Sequence, residues 1–272
     1  MPSRTLAELL AVVLPPACAA CRGALPRADL RLCASCTRAL PWLPRRTCTR
    51  CGLPSHRSAC PAAGAAFARA WSPLAYEGVA RDLVAALKFR GALPVAALMA
   101  AHIAANLPPD IRAGPAATGT PVGAGQIVGA GPPVAAGPSI AAESSVGAGP
   151  AGAVCGLARP AAVVAVPAQR IRARRRGFDP AGVLAAALAP RLGLPELACL
   201  RRRDRGPRQV GASRSQRRRT GRLAIELRAP PPPRVLLVDD VHTTGATLDA
   251  CARALVAGGC RAVVAITYAR TL

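Results

Sequence analysis

Two adjacent carboxylates, Asp239 and Asp240, stand just before Thr243, Thr244, Gly245, Ala246 and Thr247. Gly245 lets the backbone approach a ligand closely, the threonine hydroxyls are donors, and the small residues that follow open a helix whose first N–H groups have no partner inside it. Such a helix start attracts phosphate, because the free donors and the positive end of the helix dipole converge there. The acid pair would repel a bare phosphate. It suits sugar hydroxyls, which donate to carboxylates, or a hydrated Mg2+. A phosphorylated sugar satisfies both halves, and the competing reading is an ordinary strand-turn-helix corner with a capping threonine. His242 lies between acids and loop and is expected to face solvent, as lone loop histidines commonly do.

A second constellation is built from thiols. Cys18 and Cys21, then Cys33 and Cys36, are C-x-x-C pairs separated by a short loop. Four thiolates so spaced close into a tetrahedron around a structural Zn2+. Disulfides are the alternative, but C-x-x-C pairs without a clear signal peptide favour metal. Cys48 and Cys51 form a third pair, followed by His56 and Cys60, with Ala63 where a further cysteine would complete the pattern. Three thiolates and one imidazole could hold a second zinc, or this half has lost its metal; the spacing leaves both open. Closed four-ligand sites are structural, and from Cys18 to about Ala63 there is too little apolar material for a core without them. Cys155, Cys199, Cys251 and Cys260 are unpaired by spacing and are expected as small core or loop residues.

The elements that position these groups follow from hydrophobic period. Val235 to Val238 is apolar without alternation, as in a central parallel strand covered on both faces. A helix runs on from the loop to about Ala257, and a last strand spans Ala262 to Tyr268. Upstream, Trp71 to Tyr76 is a predicted strand, Val79 to Arg90 and Leu93 to Leu107 are helices, Ala161 to Val166 is a buried strand ending at Pro167, Pro180 to Leu192 is a helix, and a short strand lies near Leu200. This alternation predicts a parallel α/β sheet, whose ligand crevice lies beyond the carboxyl ends of the strands. Residues 1–17 are predicted as an amphipathic helix, 18–63 as a double zinc ribbon and 64–272 as the α/β domain. The Gly, Ala, Pro and Ser-rich stretch from about 108 to 160 is predicted as a disordered insertion, since it cannot bury enough surface to offset its ordering entropy.

The chain carries 36 basic and 13 acidic residues, a net charge of +23, and Lys88 is its only lysine. That balance favours a polyanionic partner or a phosphorylated ligand and says nothing about fold. Arginines concentrate at 170–176 and 201–222, on a solvated face, a pyrophosphate or a nucleic-acid backbone. Aromatics are only 3% of the chain, which disfavours base stacking as the main activity. The apolar run near Leu9 is too short to span a membrane, and the protein is expected to be cytoplasmic.

The stretch from Val235 to Leu248 resembles the phosphoribosyl-pyrophosphate (PRPP) motif of type I phosphoribosyltransferases. Together with the paired cysteines, Leu87 to Phe89, Val166 and Pro167, Arg176 to Phe178 and the Arg203 to Gln209 region with Arg218 and Arg219, the layout is similar to the ComF family of competence proteins, related to ComFC and GntX. Asp179 and Thr220 depart from the asparagines usual in that family, as do the second cysteine cluster and the insertion. The resemblance implies a zinc ribbon followed by a phosphoribosyltransferase-like domain that binds PRPP with Mg2+. It implies a part in DNA uptake, with single-stranded DNA and the competence helicase as partners. Carried onto this sequence, Asp239 and Asp240 would hold ribose hydroxyls and Thr243 to Thr247 the 5′-phosphate. Lys88, Pro167 and Ala168 are weaker candidates for the pyrophosphate side. An active phosphoribosyltransferase acting on a base or amine, and a nucleic-acid-binding protein with a vestigial pocket, are the alternatives; no catalytic residue can be picked.

Overall fold

The computed structural model describes residues 16–56, 58–113, 159–203 and 224–272. Residues 1–15 of the N-terminal helix expected over 1–17, Cys155, most of the insertion expected from about 108 to 160 and most of the second arginine group lie outside them; Ala17 bridges Ala24 and is not helical. The described residues open with two metal-knuckle turns, the first followed by helix α1 (Ala34–Arg38). The chain then enters the sheet through β1 (Arg69–Trp71) and β2 (Leu74–Ala75), continues through α2 (Gly78–Arg90), α3 (Pro94–Asn106) and the short α4 (Pro109–Ala113), and returns as β3 (Ala162–Ala165). Next come α5 (Arg170–Arg176), α6 (Pro180–Leu192), β4 (Leu200–Arg202), β5 (Ile225–Leu227), β6 (Arg234–His242), α7 (Ala246–Ala257) and β7 (Ala262–Arg270).

The main sheet is parallel, in the order β1, β7, β6, β3, with β2 continuing the edge beside β7. Its central strands are apolar on both faces because helices cover both. On one face Trp71, Leu236, Val238 and Ile266 pack with Leu83, Leu87, Met99, Ile103, Leu184 and Leu188 of α2, α3 and α6. On the other, Ala70, Val235, Leu237 and Val263 pack with Leu248, Cys251 and Leu255 of α7. A mixed α/β fold with a mostly parallel sheet behind an N-terminal ribbon is therefore the architecture. β4 and β5 form a separate antiparallel pair, in which Arg201 and Arg203 both reach Glu226 across the register.

Four differences from the sequence expectations have local causes. The single strand predicted over 71–76 is two, broken at Pro73, which has no N–H for the ladder. β6 does not stop at the acids: pairing with β7 runs on through Val241 to Ala269 and His242 to Arg270, so strand geometry carries the chain to the loop itself. The stretch expected to be structureless from Pro108 starts with α4, anchored by the buried Ile111. α5 was not anticipated because its arginine-rich sequence offers no apolar stripe, and it buries no residue. Cys199, Cys251 and Cys260 are buried, as small apolar side chains would be.

Candidate functional site

The knuckles are built first by the backbone. Cys18 N–H donates to Gly23 O (2.8 Å) and Arg22 N–H to Cys18 O (2.9 Å); in the second knuckle Cys48 N–H donates to Leu53 O (2.8 Å) and Gly52 N–H to Cys48 O (2.7 Å). Each turn thereby brings two thiols to one side. The ligand atoms of Cys18, Cys21, Cys33 and Cys36 all lie within 4.8 Å of one another, and so do those of Cys48, Cys51, His56 and Cys60. Four donors about 2.3 Å from a tetrahedral zinc stand roughly 3.8 Å apart. Sγ of Cys21 and Cys33 are 3.8 Å apart, and Sγ of Cys48 and Cys60 are 3.9 Å apart.

The donor chemistry suits the metal as well. A hydrogen bond from Ser35, then the Cys36 N–H, holds the Cys33 thiol down near 6, while burial pushes Cys36 up to about 12. Burial acts upward on Cys48 too, but N–H groups of Cys51 and Arg50 and the His56 ring bring it to about 6. His56 Nδ1 lies 2.8 Å from Ser58 O, which fixes that nitrogen as the donor and leaves Nε2 for the ion. Both clusters are thus zinc-binding sites, the first with four thiolates and the second with three thiolates and an imidazole. The second keeps a complete ligand set despite Ala63.

The acid pair lies at the carboxyl end of the sheet, on β6. Asp240 is buried and its Oδ1 is 2.7 Å from Lys88 Nζ at the end of α2, while Asp240 N–H donates to Asp239 Oδ1 (2.8 Å). Burial, then repulsion from Asp240, raises Asp239 well above the ordinary carboxylate range. Burial also raises Asp240, against the pull of Lys88. A carboxyl raised in this way gains from a cation or a hydroxyl donor brought against it. Lys88 is therefore next to the acids and paired with one of them. Beyond the end of β3, the amide of Ala168 after Pro167 donates to Asp179 Oδ2 (3.0 Å), whose other oxygen accepts from Ala181 and Gly182 to cap α6. That amide is already engaged within the fold.

The loop follows with Thr243 and Thr244 exposed and Gly245 at φ +76°, the left-handed region that favours glycine. Gly245 caps α7 by position only, with no side-chain cap, and Ala246 N–H reaches Thr244 Oγ1 at 3.4 Å. Thr247 sits in the first turn of α7. Beneath the loop lies the residue that sequence reasoning placed in solvent: His242 is 4% exposed and packs edge-on against Phe67, with ring centroids 6.3 Å apart. Its burial is a tertiary effect. Phe67 comes from the segment joining ribbon to sheet, and Gly245 must lack a side chain because a Cβ there would lie 2.8 Å from His242 Nε2.

Loop and second ribbon share a cavity of about 600 Å3, lined by Cys51, Leu53 and Ala62 on one side and His242, Thr243 and Gly245 on the other, with Arg270 at its edge. Arg270, 4% exposed, donates to the Cys51 carbonyl. Asp249 of α7 accepts from Ala66 N–H (2.7 Å), and Arg253 reaches Gly64 O (3.0 Å). The second ribbon is thus fastened to α7. Neither the cavity nor the ribbon's place in it has a sequence signature.

The profile of the double zinc ribbon domain family matches residues 9–69, which contain both cysteine clusters and extend a few residues past each side of the expected 18–63. No curated protein matches the chain. Among the described residues, no helix is long and apolar enough to cross a membrane.

Proposed function

We propose that the chain binds a phosphoribosyl ligand, PRPP or a close relative, at the carboxyl end of β6. The observation that carries this reading is the junction itself: a strained acid pair at the end of a central parallel strand, followed by a left-handed Gly245 and a helix start without a side-chain cap. Asp239 and Asp240 would receive the ribose hydroxyls, and Thr243 to Thr247 the 5′-phosphate. The two carboxylates are also the oxygen donors that Mg2+ prefers, and the ion would neutralise charge on a bound pyrophosphate. Lys88 can turn from Asp240 toward that pyrophosphate, and Ala168 would contribute only if Asp179 released it. The zinc ribbons supply rigidity and a wall, with no open metal position for chemistry.

The resemblance to ComF proteins extends the proposal to DNA handling during competence, with single-stranded DNA as the macromolecular partner. The exposed arginine helix α5 is consistent with a polyanion there. Transfer of the phosphoribosyl group to a base or amine is the second reading, favoured by a cavity larger than a phosphate alone needs. Calorimetric titration of PRPP with Mg2+ into the wild type and into Asp239→Asn, Asp240→Asn tests the core of the proposal. Heat from the wild type and none from the double variant is expected. A wild type that gives no heat would remove the proposal, and pyrophosphate release on adding bases would mark a transferase.

A further inference from the structure

We propose that His242 is a ligand-binding residue: from the floor of the cavity shared by the second ribbon and the loop, its imidazole hydrogen-bonds a phosphate-ester group cradled by Thr243 to Thr247. The inference rests on the phosphate-loop reading above and adds to it a contact that the motif leaves variable.

Three observations converge on the ring. His242 is only 4% exposed, yet neither ring nitrogen has a hydrogen-bond partner among the described residues. Buried polar groups without partners are costly, and natural folds seldom keep one that has nothing to bind. The ring also lines the cavity shared by the loop and the second ribbon. Finally, Nε2 lies at the position a Cβ of Gly245 would crowd, 2.8 Å from it, which puts the nitrogen directly under the helix start.

The surrounding chemistry selects an anion. Arg270 lines the same cavity, and its hold on Cys51 O keeps the guanidinium there. Burial, then the Arg270 charge, lowers His242 to about 4, so at neutral pH the ring carries one N–H donor and no charge of its own. A neutral donor adds direction where Arg270 already supplies charge. Asp249, the acid in the first turn of α7, lines the cavity too, but its carboxylate is engaged: one oxygen accepts from Ala66 N–H and the other from Arg253.

The test uses the full chain with zinc bound. Ribose 5-phosphate and PRPP with Mg2+ are titrated into the wild type, H242F and H242Q. Loss of one hydrogen bond to a charged group predicts a roughly 10- to 100-fold weaker affinity in H242F. H242Q, whose amide N–H can replace the Nε2 donor, should recover most of it. Equal affinity in wild type and a folded H242F would overturn the inference and leave the broader proposal standing. In parallel, the 15N ring signals of His242 in the wild type should move when inorganic phosphate is added, while those of His102 stay. Should H242F fail to fold, these signals decide, and their failure to move overturns the inference. A wild type that ignores PRPP but shows the ring response to phosphate would remove the broader proposal and keep this one; silence toward both removes both.

Discussion

The two zinc knuckles make the same pair of backbone hydrogen bonds and place the residue after their second cysteine in the left-handed region, at φ +63° for Arg22 and +75° for Gly52. They differ in what surrounds that residue. Arg22 is exposed, so an arginine can bear the strained backbone. Gly52 is packed under the sheet edge, where a Cβ would lie 2.8 Å from Ala70 O. The knuckles also join opposite faces of the sheet. Leu25, Leu32 and Leu40 of the first belong to the core with α2 and α3, and Cys51 and Ala62 of the second to the core with α7. Identical local geometry therefore serves two tasks, a module resting on the domain and a wall of its cavity. Arg50 strengthens the second by donating to the carbonyls of Ala62 (3.0 Å) and Ala65 (2.6 Å), while Ala70 N–H returns to Arg50 O (2.9 Å).

Removing one metal at a time should separate the tasks most sharply. Structural zinc contributes on the order of 10 kcal/mol to small modules, so C36S and C51S should each lose one of two bound zinc ions by elemental analysis. Only C51S should also abolish the calorimetric signal with PRPP and Mg2+. Equal loss of binding in both variants would break the distinction between support and wall.

A pH series separates the buried His242 from the half-buried His102 on the other face. His102 bonds the Tyr268 hydroxyl at 3.1 Å, whereas His242 has only the cavity. With a folded value near 4 against an ordinary value of 6.5, His242 stays neutral in the native state while the unfolded chain takes up a proton. Its contribution is whole above pH 6.5 and is lost as pH falls toward 4. Wild type should therefore lose up to about 3 kcal/mol more than H242F between pH 7 and 4 in urea denaturation. Asp239 and Asp240, raised in the fold, act in the opposite direction but equally in both proteins, and so cancel. Parallel curves would show that the ring is not held neutral.

Smaller effects come from the left-handed residues. G52A forces a methyl against a backbone oxygen in strained geometry and should cost about 2–3 kcal/mol. It should also weaken PRPP binding, because it displaces the cavity wall. R22G relieves strain at the surface and should change stability by less than about 1 kcal/mol, in the favourable direction, with ligand binding unchanged. Zinc-saturated denaturation checks both.

The knuckle ligands and the central strands were legible because both obey short-range rules: thiol spacing, and apolar runs closed by Gly or Pro. Reading Val235 to Val238 as a strand found the site's axis but stopped it too early, since the acids of Asp239 and Asp240 look like a strand end when the partner strand is unknown. β7 supplies that partner through Ala269 and Arg270. His242 was misplaced for a similar reason. Its burial depends on Phe67, far away in sequence, and no local pattern encodes that contact. Arg270 gave no signal either, because one arginine among many reads as surface charge until its carbonyl partner on Cys51 is seen.

That last contact spans 219 residues. A ribosome releases the knuckles well before β7, so the second ribbon can take up its metal early yet must wait for that whole span of chain before it docks. Its cavity face stays open through that interval, and slow, non-local closure of this kind leaves apolar surface exposed to aggregation. Zinc acquired during synthesis would then act as a holding clamp, keeping the ribbon compact until the final strand arrives to receive it.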